Sequence, residues 1–167
     1  MIEAQTPSAT DTEGTIMART TKTEGTFTDE ERAAMQEHAA EVKRTRGTKG
    51  TKADKAVADA AAVEAKIAEM PEPDRGLAER IHRIALEVAP DLAPKLWYGM
   101  PAYYQNGKAA FFFQDAAKFK ARYATLGFQD SAALDDGTLW PTSWAITPEF
   151  SEADEATVAD LIRRAVA

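Results

Sequence analysis

The chain has 167 residues, a formal net charge of −7 and no cysteine. That length holds one domain with tails, and the missing cysteines exclude a disulfide framework and a thiolate metal site. The acidic balance argues against general nucleic-acid binding, no apolar run reaches the ~18 residues that a membrane span needs, and no basic start leads into an apolar core as in a secretory signal, so a cytoplasmic location without a membrane partner is expected.

Residues 1–27 are rich in Thr, Glu, Ala and Gly and poor in large apolar side chains, which predicts a disordered tail. Thr28-Asp29-Glu30-Glu31 is a capping box, and a helix is predicted over 29–44. It is polar on nearly every side and so reads as an appendage rather than core. The run over 43–52, K-R-T-R-G-T-K-G-T-K, reads as a flexible charged linker or as an arm for nucleic acid or an acidic partner. Residues 28–55 thus form an extension ahead of a domain over 56–167. A second helix is predicted over 53–70, with Val63, Ile67 and Met70 on one stripe extended by Ala56 and Ala60. Pro71-Glu72-Pro73 stops it. The third helix, over 74–88, is the clearest: Leu77, Ile81, Ile84 and Val88 repeat at helical spacing.

The stretch over 95–123 carries the strongest hairpin signal and many of the large apolar side chains. Asn106-Gly107 is the pair that a two-residue type I′ turn requires, since both positions need φ > 0. Reading outward pairs Gln105 with Lys108, Tyr104 with Ala109, Tyr103 with Ala110 and Ala102 with Phe111, so that large residues meet small ones. Alternation then places Tyr104, Phe111 and Phe113 on one face, under the third helix, and Tyr103 and Phe112 on the other. That second face must be covered by a loop, a partner or a ligand. Gly99 and Pro101 mark a bulge or bend, so 95–98 reads as a separate segment that kinks into the hairpin.

A third strand is predicted over 118–125, with Lys118, Lys120 and Arg122 on one side and Phe119, Ala121 and Tyr123 on the other. A fourth is expected over 139–146, lying at an edge or beginning after Pro141, with Trp140 and Trp144 on one face. Ser151 caps a last helix with Asp154 at the capping-box position; Val158, Ile162 and Ala165 form its inner face. The fold class is therefore α+β: an antiparallel sheet of about four strands with helices packed on it.

The runs W-Y-G-M-P-A-Y-Y-Q-N-G-K-A-A-F-F-F over 97–113 and K-F-K-A-R-Y-A-T-L-G-F over 118–128 resemble the YdhG-like family of small bacterial proteins, a domain of unknown function often labelled iron chaperone by likeness to frataxin. The resemblance covers residues 63–166 and rests on a W-x-G-x-P-x-Y … G-K core: Trp97, Gly99, Pro101, Tyr103, Gly107 and Lys108. It implies a compact α+β domain and an iron-handling role, with an iron-acceptor protein as partner. It carries over no set of metal ligands.

Hard cations take oxygen ligands, and residues 123–162 hold no Lys, Arg or His. Asp130, Asp135, Asp136, Glu149, Glu152, Asp154 and Glu155 are therefore the candidate iron ligands, against the plainer reading of a solvated acidic surface. Lys118, Lys120 and Arg122, with Lys108 nearby, are the candidate seat for a phosphate or carboxylate, against a solvated strand face. Trp97, Tyr98, Pro101, Tyr103, Phe112 and Trp144 are the candidate walls of a pocket, against ordinary core. Glu79-x-x-His82 has di-iron spacing, but those sites need a second such motif. No cysteine, Gly-x-Ser-x-Gly element, phosphate loop or dinucleotide fingerprint is present, so no enzyme is expected. Two functions remain: iron binding or delivery through acidic surface residues, or a binding module that holds a protein partner or a small anionic ligand.

Overall fold

The computed structural model describes residues 27–47 and 50–167; the tail expected over 1–27 lies outside them except for Phe27. Four helices and five strands follow in the order α1 (Asp29–Gly47), α2 (Lys52–Glu69), α3 (Asp74–Val88), β1 (Ala93–Trp97), β2 (Met100–Gln105), β3 (Lys108–Gln114), β4 (Ala124–Phe128), β5 (Ser143–Ile146) and α4 (Glu152–Ala165). The strands form one antiparallel sheet in the spatial order β1-β2-β3-β4-β5. The class is α+β, as expected.

The fifth strand is β1, where a kinked separate segment was expected. Tyr98 (φ 52°) and Gly99 (φ 72°) both occupy the left-handed region and close a two-residue turn, so Trp97 pairs with Met100 and Leu96 with Pro101. Pro101 lies one residue beyond the last β2–β3 pair, Ala102 with Phe112, so that ladder does not ask for its missing N–H.

The β2–β3 register begins as predicted from Asn106-Gly107, with Gln105 opposite Lys108 and Tyr104 opposite Ala109. It then slips. Tyr103 faces Phe111, and Ala110 is the extra residue of a β-bulge. The Ala110 carbonyl accepts the Gln129 backbone N–H at 2.9 Å, which fixes the bulge from the β4 side. The slip exchanges the two tyrosines. Tyr103, Phe111 and Phe113 are the side chains buried beneath the helices, while Tyr104 shares the other face with Phe112 and Trp97. Tyr103 therefore does not pair large with small; it stacks on Phe111 with centroids 4.6 Å apart.

The strand predicted over 118–125 starts later, at Ala124. Residues 116–120 are a turn, because carboxylates hold its amides: Ala117 N–H donates to Asp74 Oδ2 at 2.7 Å and Lys118 N–H to Asp115 Oδ2 at 3.2 Å. Ala124, Leu126 and Phe128 carry the buried alternation instead. β5 is an edge strand that begins after Pro141, as expected.

The core lies between the sheet and α2, α3 and α4. Val63 and Ile67 of α2 with its C-cap Met70, Leu77, Ile81 and Ile84 of α3, and Val158, Ile162 and Ala165 of α4 pack with Tyr103, Phe111, Phe113 and Leu126. The capping boxes at Thr28 and Ser151 form as predicted. On the other face Phe112 lies directly over Gly127, its cross-strand partner, where any Cβ would collide with the ring.

His82 on α3 has its Nδ1 3.0 Å from the Tyr103 hydroxyl, and Glu79 is exposed, so the i, i+3 pair makes no common site. Burial holds the His82 pKa below its ordinary 6.5, against the opposing field of Glu64. A histidine depressed in the folded state binds its proton more readily once unfolded, so stability falls as pH drops below that ordinary value and levels off beneath the folded one. Urea midpoints between about pH 7.5 and about pH 5 are expected to fall more steeply for the wild type than for His82→Gln.

Candidate anion-binding cradle

The turn between β1 and β2 is where separate elements converge. With successive residues at positive φ, the amides of Tyr98 and Gly99 point to one side and form a concave donor pair of the kind that binds anions. A carboxylate from α1 fills it: Glu41 Oε2 accepts Tyr98 N–H at 3.1 Å and Glu41 Oε1 accepts Gly99 N–H at 2.6 Å. Glu41 is buried there.

Beside this pair stand two ammonium groups from distant parts of the chain. Lys118, on the turn after β3, donates to the Tyr98 carbonyl at 3.2 Å and to the carboxylate of Glu37. Lys66 of α2 donates to Glu37 Oε1 at 2.9 Å. Partial burial opposes the charge on Glu37, but the hydrogen bonds from Lys118 and Lys66 outweigh it and hold the carboxyl below its ordinary value. Further along, Lys120 pairs with Glu30; that contact lowers the Glu30 pKa and raises that of Lys120.

Aromatic rings wall the cradle. His38 stacks on Tyr98 with centroids 4.2 Å apart and planes 14° from parallel. Trp97 meets Tyr98 edge-on at 5.4 Å and Phe112 at 5.3 Å. Two openings flank Glu41: a cavity of about 480 Å³ between α1, α2 and Gly99, and one of about 210 Å³ bordered by His38, Lys95, Trp97 and Tyr104.

The expected site residues are thus partly brought together and partly dispersed. Trp97, Tyr98 and Phe112 do cluster on the open face. Tyr103 and Pro101 are buried on the other one, and Trp144 packs against Phe128 near the far edge. Lys118 and Lys120 both reach acidic groups of α1, but they do so from a turn and not from one face of a strand. Arg122 lies over the ring of Tyr123, 5.1 Å from its centroid, and Lys108 is exposed at the opposite hairpin.

The acidic candidates do not converge. Asp130 and Asp135 border an opening of about 490 Å³ beside Trp140, and Asp136 is exposed. Glu149 and Glu152 are exposed, and Asp154 belongs to the helix cap of Ser151. Glu155 binds Arg80 at 2.5 Å and Arg83 at 2.8 Å. Among the described residues no group of three or more His, Cys, Asp or Glu side chains is placed to hold a metal ion.

The residues that sequence reasoning missed are Glu30, Glu37, His38, Glu41 and Lys66. The first helix is no mere appendage, and residues 43–47 are its last turn rather than linker. A signal was present: Glu30, Ala34, Glu37 and Glu41 recur at i, i+4, i+7 and i+11, one stripe of a helix. Comparison of the chain with protein-family models, curated proteins and solved structures finds no match. The YdhG-like resemblance therefore stands on the quoted residues of the 97–128 stretch alone.

Gly99 is the position the cradle can least afford to change. A Cβ there would fall onto both Glu37 and Lys118, whereas Gly107 (φ +82°) has nothing within 4 Å of such an atom. Gly107→Ala is expected to cost about 1–2 kcal/mol, the left-handed penalty alone. Gly99→Ala must also push the Glu37 carboxylate and the Lys118 ammonium apart, so it should cost up to about 1 kcal/mol more than Gly107→Ala, read as the difference in urea unfolding free energy between the two variants.

Proposed function

We propose that this protein is a binding module, without catalysis of its own, that holds a carboxylate-bearing partner at the β1–β2 turn. The observation that carries the reading is the double acceptance of Tyr98 and Gly99 N–H by the buried Glu41 carboxylate. Hydrogen bonds to a charged group contribute about 1.5–3 kcal/mol each, roughly twice a neutral one. Lys118 and Lys66 add charge on one side, and Trp97 and Tyr98 add an apolar wall on the other. Iron delivery has less support: the acidic residues it would use are spread over the loop after β4, a helix cap and an arginine-bound position on α4.

The test empties the cradle in the full chain with Glu37→Ala and Glu41→Ala and titrates glutarate, a free copy of the glutamate side-chain chemistry. Backbone NMR shifts of Tyr98 and Gly99 are expected to move and saturate. The same titration with Lys118→Ala added should need about tenfold more glutarate, the equivalent of one lost charge-assisted contact. Shifts that never saturate, or that match an equal ionic strength of sodium chloride, would refute the reading.

A further inference from the structure

We infer that the partner is an acidic helix, and that α1 is its intramolecular stand-in. The inference rests on the carboxylate reading above and adds a spacing code to it.

The code is a row of three stations. Lys120 meets Glu30, Lys118 and Lys66 meet Glu37, and the turn amides meet Glu41. These carboxylates stand at i, i+7 and i+11, which on a helix spans about 16 Å along one stripe. Between the first two, Ala34 is buried at i+4, so the row accepts a small side chain there. At i+8 His38 stacks on Tyr98, so the row favours a flat ring at that position. A lone anion could occupy one station, whereas α1 fills all three in register as a helix.

The hold on α1 is of a kind that exchanges. Ala34 is the only buried apolar side chain among its described residues, while Met35 is exposed; α2, α3 and α4 each bury two or more. The docking is polar: two of its three stations are ion pairs between partly exposed side chains, which salt screens and which hold weakly, and one is the buried Glu41 carboxylate on the turn amides. Residues 48–51 are all that separate α1 from α2. A tethered ligand of this sort competes at an effective concentration in the millimolar range. A matched helix in trans must therefore displace it, and α1 sets the threshold for binding.

The experiment uses the full chain, wild type and with Glu30→Ala, Glu37→Ala and Glu41→Ala, and a fluorescein-labelled peptide of residues 27–47 read by anisotropy. The triple variant is expected to bind the peptide saturably, and the wild type at least about tenfold more weakly because its own α1 competes. A scrambled peptide of equal composition and the Ala34→Leu peptide should each bind the triple variant at least about tenfold more weakly. Lys118→Glu with Lys120→Glu, added to the triple variant, should abolish binding. Equal binding of scrambled and native peptides would overturn the spacing code, and equal binding by wild type and triple variant would overturn the role of α1 as competitor. If no peptide binds while glutarate still shifts the Tyr98 and Gly99 amides, the helix inference fails and the carboxylate reading stands. If neither binds, both fail.

Discussion

The stack of Tyr103 on Phe111 is the contact on which the rest of this structure depends. It exists because the β2–β3 ladder slips by one residue at Ala110. Side chains alternate across a strand, so a one-residue slip sends a whole set of residues to the opposite face. Here the slip places three large rings, Tyr103, Phe111 and Phe113, under the helices, and leaves Trp97, Tyr104 and Phe112 on the far side. The core is then closed by the apolar faces of α2, α3 and α4 together with connecting residues such as Leu92, Leu134 and Phe150. What remains outside is an aromatic surface whose edge is the β1–β2 turn, and that edge receives α1.

The contact between α1 and the turn follows a different energetic logic from the core. Burying an unpaired carboxylate costs several kcal/mol, and Glu41 offsets that cost by accepting two backbone donors of the turn, with His38 Nδ1 a further 3.3 Å contact. Each side serves the other: the carboxylate covers two amides of the turn, and those amides act together with His38 Nδ1, 3.3 Å from Glu41 Oε2, in holding the buried carboxylate. Glu37 repeats the arrangement with side-chain ammonium groups. Beyond the buried Ala34 and the ring stack of His38 on Tyr98, the joint rests on charge and geometry, so added salt weakens it where it does not weaken the apolar core.

Much of the fold was legible from local chemistry. The capping boxes at Thr28 and Ser151, the extent of α3 and the turn at Asn106-Gly107 each follow from residues a few positions apart, and all are present. The misreadings share a cause: tertiary partners overrode a local pattern. Residues 118–122 alternate like a strand, but Asp74, which is far away in sequence, binds the Ala117 amide and bends them into a turn. The bulge depends on a carbonyl taken up by Gln129, and no spacing within 102–113 announces it. The cradle was half legible: Lys118, Lys120, Trp97 and Tyr98 drew notice by type. Glu41 did not, because a glutamate on a polar helix is ordinary until the amides opposite it are known.

The two hairpin turns of the sheet show why the β1–β2 turn, and not its neighbour, is the candidate site. Both place two successive residues at positive φ. At the β2–β3 turn those residues are Asn106 and Gly107, the pair that adopts this geometry with least strain, and they are exposed. At the β1–β2 turn the first position is Tyr98, a bulky residue for which the left-handed region costs about 1–2 kcal/mol. Such strain persists only where the surroundings over-determine it, and it gathers at binding sites. The surroundings here are a stacked histidine, a carboxylate on the Tyr98 amide and an ammonium on the Tyr98 carbonyl. An asparagine at position 98 would make the turn more easily and would lose the ring on which His38 lies. The chain thus carries a strained residue where an unstrained one would serve folding better, and what the strain secures is an aromatic wall beside two aligned donors.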